Sequence, residues 1–332
     1  MRLPTMHVNK FRLAMSHRLP DHITRRLRLP LIAAPMLNVS GVDLVVAACR
    51  NGVIGAFPTA NARTPEQLDQ WLTEIRARLF AAPEEAAPFC PNLIMRSPRM
   101  ADDLACLVRH QVELVITSVG SPAAAVPALH GVGCLVLADV ATLAHARKAI
   151  AAGADGLVLL SAGAGGQTGW LNGMAFVRAL RQDYDGPIVL AGGISDGVAL
   201  RAAQVLGCDL GYMGTRFIAT RESLAPDAYR DMLVESSIDD VLLTRAFTGL
   251  PTSMLVPSIR QAGLDPATLD ETVTPNSAAQ MFGGSSHGNA SEGPRRWRDI
   301  WSAGHSVSGV KQVQTVEAMV AQIEQEFHKA AA

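Results

Sequence analysis

The sequence predicts an α/β protein: a (β/α)8 TIM barrel with a helical lobe inserted near its C-terminal part. Three observations predict it. Eight short apolar runs alternate with stretches of helical periodicity, roughly 20 to 35 residues apart. The seventh and eighth runs both end in glycines, about 20 residues apart, as a phosphate cup after strands 7 and 8 would require. After Glu222 the alternation stops, and it resumes only near Trp301. At 332 residues the chain exceeds the ~250 of a minimal barrel, which leaves room for the lobe.

Residues 1–28 have no clear period and read as an arm or short helix leading into the first strand. Residues 31–34 are that strand, ending at Pro35-Met36; residues 39–48 open a helix that Asn51-Gly52 stops. Residues 53–57 form the second strand. Thr64-Pro65-Glu66-Gln67 then starts a helix, with Thr as cap, Pro first and Gln third. Leu68, Trp71, Leu72, Ile75 and Leu79 give it an apolar face. Residues 81–88 are a loop. Residues 89–95, 114–117, 134–137 and Gly156–Leu160 are the third to sixth strands, and a helix at 142–152 follows the fifth. The sixth runs into residues 161–170, SAGAGGQTGW, the most glycine-dense loop. Ile188–Ala191 and Leu210–Met213 are the seventh and eighth strands; between them Asp196-Gly197 opens a helix that Gly207 ends.

Residues 225–285 read as helical and loop-rich, with a helix at 225–236 and a turn at 248–252. Residues 283–296 form a polar linker or lid that includes His287. Trp301–His305 begins the return to the barrel. Thr315 caps a last helix with Val316, Met319, Val320, Ile323 and Phe327 on one face. The expected domains are therefore a barrel from 1–224 and 290–332, with a lobe and linker at 225–289 lying over its mouth.

Composition narrows the function. Apolar residues make up 48% and charged residues 18%, which suits a large core and argues against disorder. Net charge is −1 and the one basic block is Arg25-Arg26-Leu27-Arg28, so nucleic acid is not an expected partner. The five cysteines, Cys49, Cys90, Cys106, Cys134 and Cys208, are odd in number and lack a CxxC pair. That points to a reducing, cytoplasmic setting and away from zinc, other metals or disulfides. No run of ~18 apolar residues or apolar leader is present, so neither a membrane span nor a signal peptide is expected. No GxGxxG follows the first strand, against a dinucleotide-binding Rossmann domain.

The loops after the strands share one rim: Pro35-Met36, Asn92, residues 161–169, Gly192-Gly193 and Gly214-Thr215. Backbone N–H groups approach an anion where no Cβ intervenes, and a helix N-terminus adds its dipole. Two ordinary strand-to-helix turns are the plainer reading of the glycines. A phosphate cup beside a glycine loop that can lie on a flat ring points to a phosphorylated planar cofactor. FMN fits; a sugar phosphate fits less specifically. Tyr212 is placed either to line that pocket or to fill the core.

Ala34-Pro35-Met36, Pro91-Asn92-Leu93, GAGGQTG at 163–169, PIVLAGGISDG at 187–197, YMGTRFIATRE at 212–222 and WSAG at 301–304 resemble the nitronate monooxygenase family, formerly the 2-nitropropane dioxygenases. The ordered set covers roughly residues 28–310. The resemblance implies an FMN-dependent oxidoreductase that oxidises alkyl nitronates with O2. Asn92 and Gly165 would approach the flavin. Gly192, Gly193, Tyr212, Met213, Gly214 and Thr215 would hold its phosphate, and Pro35 and Met36 would pack on the ring. The chain departs from the family where its glycine loop usually carries a basic His: Gln167 stands there, and an amide is no general base near neutral pH. Gly163 replaces an acidic residue, Leu160 a polar one, and Ala138-Asp139 lie where a lysine is often found.

A nitronate is already deprotonated, so poor use of neutral nitroalkanes is expected. Gln167 either donates a hydrogen bond to a substrate oxygen or braces its loop. His305, after WSAG, is the second candidate catalytic residue, with a structural role as the alternative. Related FMN enzymes that reduce quinones or enoyl substrates with NAD(P)H give a second functional reading. A non-catalytic FMN-binding protein is a third, and a flavin-free phosphate-binding isomerase or lyase a fourth. The expected partners are a small-molecule substrate and O2 or NAD(P)H, in a monomer or an oligomer.

Overall fold

The computed structural model describes residues 18–81, 85–282 and 294–330. Most of the N-terminal arm, most of the expected 283–296 linker with His287, and the expected lobe boundary at 289 lie outside the described residues.

In chain order the strands are β1 (Leu31–Ala33), β2 (Ile54–Pro58), β3 (Phe89–Ile94), β4 (Leu114–Ser118), β5 (Leu135–Val140), β6 (Gly156–Leu160), β7 (Gly166–Gln167), β8 (Ile188–Ala191), β9 (Leu210–Met213), β10 (Val241–Thr244) and β11 (Thr252–Leu255). Eight of them, β1 to β6 with β8 and β9, pair in parallel and close into a barrel, β9 returning to β1 through Leu31↔Gly211. The alternation of short apolar runs with helices is thus a (β/α)8 TIM barrel.

Strand period two sends alternate side chains inward. Ile32, Ile54, Ala56, Cys90, Leu114, Ile116, Leu137, Val158, Val189 and Leu210 form the dry interior. Leu19 and Ile23 join the same cluster, so the short helix Asp21–Thr24 plugs the N-terminal end of the barrel. The opposite parity faces the surrounding helices in a larger core.

Several helix starts follow their local chemistry. Thr64 Oγ1 accepts from Gln67 N at 3.2 Å, while Gln67 Oε1 accepts from Arg63 N. Asp196 Oδ1 caps Gly197–Leu206 through Ala199 N, and Gly207 ends that helix at φ +106°. Thr315 caps Val316–Lys329, whose Val316, Met319, Val320, Ile323 and Phe327 are all fully buried. Each such side chain contributes roughly 1.5–3 kcal/mol by leaving water. This last helix packs against Gly197–Leu206 and is tied to the chain start by an Arg28–Glu324 ion pair at 2.5 Å, which closes the helical ring.

Two expectations need correction. The lobe is not helical throughout. Besides helices Asp227–Glu235, Val256–Gln261 and Pro275–Phe282, it holds the antiparallel strands β10 and β11, and β11 pairs with β7 of the glycine loop. The fifth barrel strand also runs on to Val140, so Asp139 lies within it. Asp is a poor strand former and the sequence reading stopped short of it; the ladder to β6, Asp139↔Val158, holds it extended.

Candidate active site at the barrel mouth

One inward step beyond the dry interior, towards the C-terminal ends of the strands, the lining turns polar. Asn92 on β3, Ser118 on β4, Asp139 on β5 and Tyr212 on β9 stand there. Ser118 Oγ donates to Asn92 Oδ1 at 3.1 Å, and Asn92 Nδ2 donates to the Ile116 carbonyl at 3.3 Å. Those bonds fix the Asn92 amide. Asp139 Oδ1 is buried and has no hydrogen-bond partner. Burial pushes the Asp139 carboxyl up to about 7. Burial first, then the neighbouring Asp139 and Cys90, push the Tyr212 phenol well above its usual range.

The rim loops converge above this layer. Gly192 and Gly193 have φ of +120° and +74°, and a Cβ on Gly193 would meet nothing within 4 Å. Its backbone is therefore open on that side, as an anion site needs. Gly214 follows β9 and lies close to Met36, whose sulfur would be 3.5 Å from a Cβ there. Thr215 is buried, and its Oγ1 accepts from Gly304 N at 3.0 Å. Gly165 backs onto Ala303-Gly304, where a Cβ would be 2.8 Å from the Gly304 nitrogen.

The sequence candidates thus divide by place. Pro35, Met36, Gly165, Gly192, Gly193 and Gly214 lie in the rim loops, Thr215 opens the short helix Thr215–Ile218 after them, and Asn92 and Tyr212 lie in the polar layer beneath. Met213 is different: its side chain packs in the outer core and its carbonyl accepts from Ala34 N, so its side chain lines no part of the mouth. Gln167 is exposed on β7, aligned with Thr252 of the lobe. His305 is exposed too; its N–H donates to the Gly163 carbonyl at 2.8 Å and its ring lies against Gly163.

Sequence reasoning missed three residues that shape the mouth. Asp139 was noted only as a departure, although its odd-numbered parity with Leu135 and Leu137 was available to place it inward. Arg216, buried, donates to the carbonyls of Ser195 and Gly309, both at 3.0 Å, and so ties the loop after β8 to the turn His305–Gly309. Trp297 lies beside Gly166, and its carbonyl accepts from Asn38 Nδ2 at 3.2 Å. No local sequence signal announces either of these two contacts.

Away from the mouth, Asp69, Cys106 and His110 bring three donor atoms within 4.8 Å, the one such trio among the described residues. Asp69 already accepts from His110 at 2.9 Å and faces Arg109 at 3.5 Å. A hollow of about 320 Å³ beside Arg201, Gln204 and Asp209 opens at the other end of the barrel. No helix among the described residues is long and apolar enough to cross a membrane.

Comparison with known proteins agrees with this geometry. The chain is 27% identical over 229 residues to a Mycobacterium tuberculosis protein named (3aS,4S,5R,7aS)-5-hydroxy-7a-methyl-1-oxo-octahydro-1H-indene-4-carboxyl-CoA dehydrogenase, covering 68% of this chain and 62% of that one. The chain thus spans less than two thirds of that relative's length. FabK from Thermotoga maritima superposes with a TM-score of 0.77 at 25% identity, over 94% of this chain and 97% of the other. Nitroalkane oxidase from Streptomyces ansochromogenes gives 0.77 and 25%, over 93% and 99%. The description of the nitronate monooxygenase family matches residues 23–326. With that match over nearly the whole barrel and lobe, the chain belongs to the nitronate monooxygenase family.

Proposed function

We propose that the chain binds FMN at the barrel mouth and is an oxidoreductase that oxidises alkyl nitronates with O2. The observation that carries this reading is the convergence of a positive-φ glycine pair, Gly192-Gly193, open at Gly193, with a polar inner layer holding an unpartnered buried oxygen, in a chain of this family. Gly192, Gly193 and the backbone from Tyr212 to Thr215 would hold the phosphate. Pro35 and Met36 would pack on the ring, and Asn92 and Gly165 would approach it. FMN, when bound, supplies the electron-accepting and oxygen-reacting chemistry.

The protein's own share is position and protonation. A nitronate arrives as an anion and needs no base. A neutral nitroalkane does need one, and Gln167 offers an amide without useful basicity. Gln167 instead donates a hydrogen bond to a substrate oxygen from a strand fixed by pairing to β11. The chain therefore turns over nitronates well and neutral nitroalkanes poorly. Five buried, unpaired cysteines suit a reducing compartment, and the cytoplasm is the proposed one.

The test is the anaerobic visible spectrum of the purified protein, titrated separately with an alkyl nitronate and with NAD(P)H. Bleaching of bound flavin by nitronate alone supports the reading. Bleaching by NAD(P)H alone favours the second reading, an NAD(P)H-dependent quinone or enoyl reductase. That alternative draws on the likeness to FabK from Thermotoga maritima.

A further inference from the structure

Asp139 stands in the inner layer that a ring at the mouth must cover, and it is the one carboxylate there among the described residues. Its Oδ1 is buried without a partner. From β3 and β4 it is faced by Asn92 and Ser118, which are neutral and bonded to each other. From β9 it is faced by Tyr212, and from β3 by Cys90; burial keeps both in their neutral forms. On β6 its register partner is Val158. No cation among the described residues offsets a charge on this carboxyl, whose ionisation burial alone already opposes.

We infer that Asp139 meets the bound flavin as a neutral carboxylic acid, donating its proton in a hydrogen bond to an acceptor on the ring edge, so that FMN binding takes up a proton from solvent. The inference rests on the FMN site proposed above. A ring seated on the layer removes the water that the half-buried residue retains, and this penalises the carboxylate further. The step is a protonation only: solvent supplies H+, the carboxylate becomes the acid, and nothing is oxidised. If Asp139 instead accepted from a ring N–H, the ionised form would be favoured and a proton would be released.

The experiment is calorimetric titration of FMN into the flavin-free full chain at about pH 7.5, in two buffers of different ionisation enthalpy. The expected result is uptake of about 0.5 to 0.8 proton per FMN beyond that of Asp139→Asn, falling towards zero at about pH 5.5. Equal proton counts in parent and variant, or net release, overturn it while leaving FMN binding intact. Absence of FMN binding overturns both the inference and the reading beneath it. Should Asp139→Asn not fold, the infrared difference between parent holo- and apoprotein at the same pH decides. A gained protonated-carboxyl band supports the inference, and its absence sinks it.

Discussion

His305 and Gly163 share one space. The His305 N–H donates to the Gly163 carbonyl at 2.8 Å, and a β-carbon on Gly163 would lie 2.7 Å from His305 Nδ1. The imidazole therefore fills the volume that a side chain at 163 would claim, and Gly163 also has φ +87°. Gly163→Ala is expected to destabilise the fold by about 2–3 kcal/mol, part strain and part clash. His305→Ala in the same chain is expected to recover the clash but not the strain, about half of the loss. Urea denaturation of the four-member cycle measures this, and strict additivity would refute the shared space.

In the proposed function Gln167, having no basicity, restricts turnover to substrate that arrives already deprotonated. Gln167→His is expected to raise kcat/KM for neutral nitroalkanes by ~10-fold or more while nitronate turnover changes little, since general-base help is typically worth 10²–10⁴. Steady-state kinetics on matched nitroalkane and nitronate pairs gives the ratio. Loss of both activities together would show that Gln167 serves only to hold the loop.

Asp139 makes stability fall with pH. Its carboxyl moves from 3.8 to about 7 on folding, so between those values the folded chain holds a proton that the unfolded chain has lost. The stability that this proton accompanies is complete below about pH 4 and is lost as pH rises through about 7. In the flavin-free protein, Asp139→Asn is expected to be more stable than the parent at about pH 8, by on the order of 4 kcal/mol, with the gap closing towards about pH 4. Thermal unfolding across that range measures it; a gap that widens at low pH would contradict the sign.

Below the barrel, Arg181 and Asp209 form a buried ion pair at 2.6 Å, their side chains 6% and 0% exposed. Asp209 Oδ2 also accepts from Ile188 N at 2.7 Å, and Arg181 donates to the carbonyls of Tyr184, Gly186 and Gly207. Arg181→Met strands a buried carboxylate that, among the described residues, keeps Arg18, 3.6 Å away, as its remaining counter-charge. A loss of about 3–5 kcal/mol is expected, largely insensitive to salt, with partial recovery on adding Asp209→Leu. Denaturation at low and high ionic strength checks both statements.

The barrel was legible because its strands are short apolar runs bounded by glycine and proline, and because caps such as Thr64, Asp196 and Thr315 mark helix starts locally. The β10 and β11 strands were not legible. Each is four residues long, and β11 finds its partner at Gly166-Gln167, some 85 positions back along the chain, so no local pattern records the pairing. The rim glycines were found because a chemical need for bare backbone is written in the residue type. The outward turn of the Met213 side chain was not legible, because motif membership says nothing of strand parity. Asp139 was passed over because burial without a partner is a property of neighbours, not of the residue itself.

Strand β7 is only two residues long, yet it puts the glycine loop and the lobe into one hydrogen-bonded sheet. The conformation of the glycine loop and the position of the lobe strand paired to it are thus a single mechanical variable. In the proposed function, a substitution in β11, such as at Ser253 opposite Gly166, would act on the glycine loop as surely as on the lobe. Selection for a different substrate size would have to retune both at once.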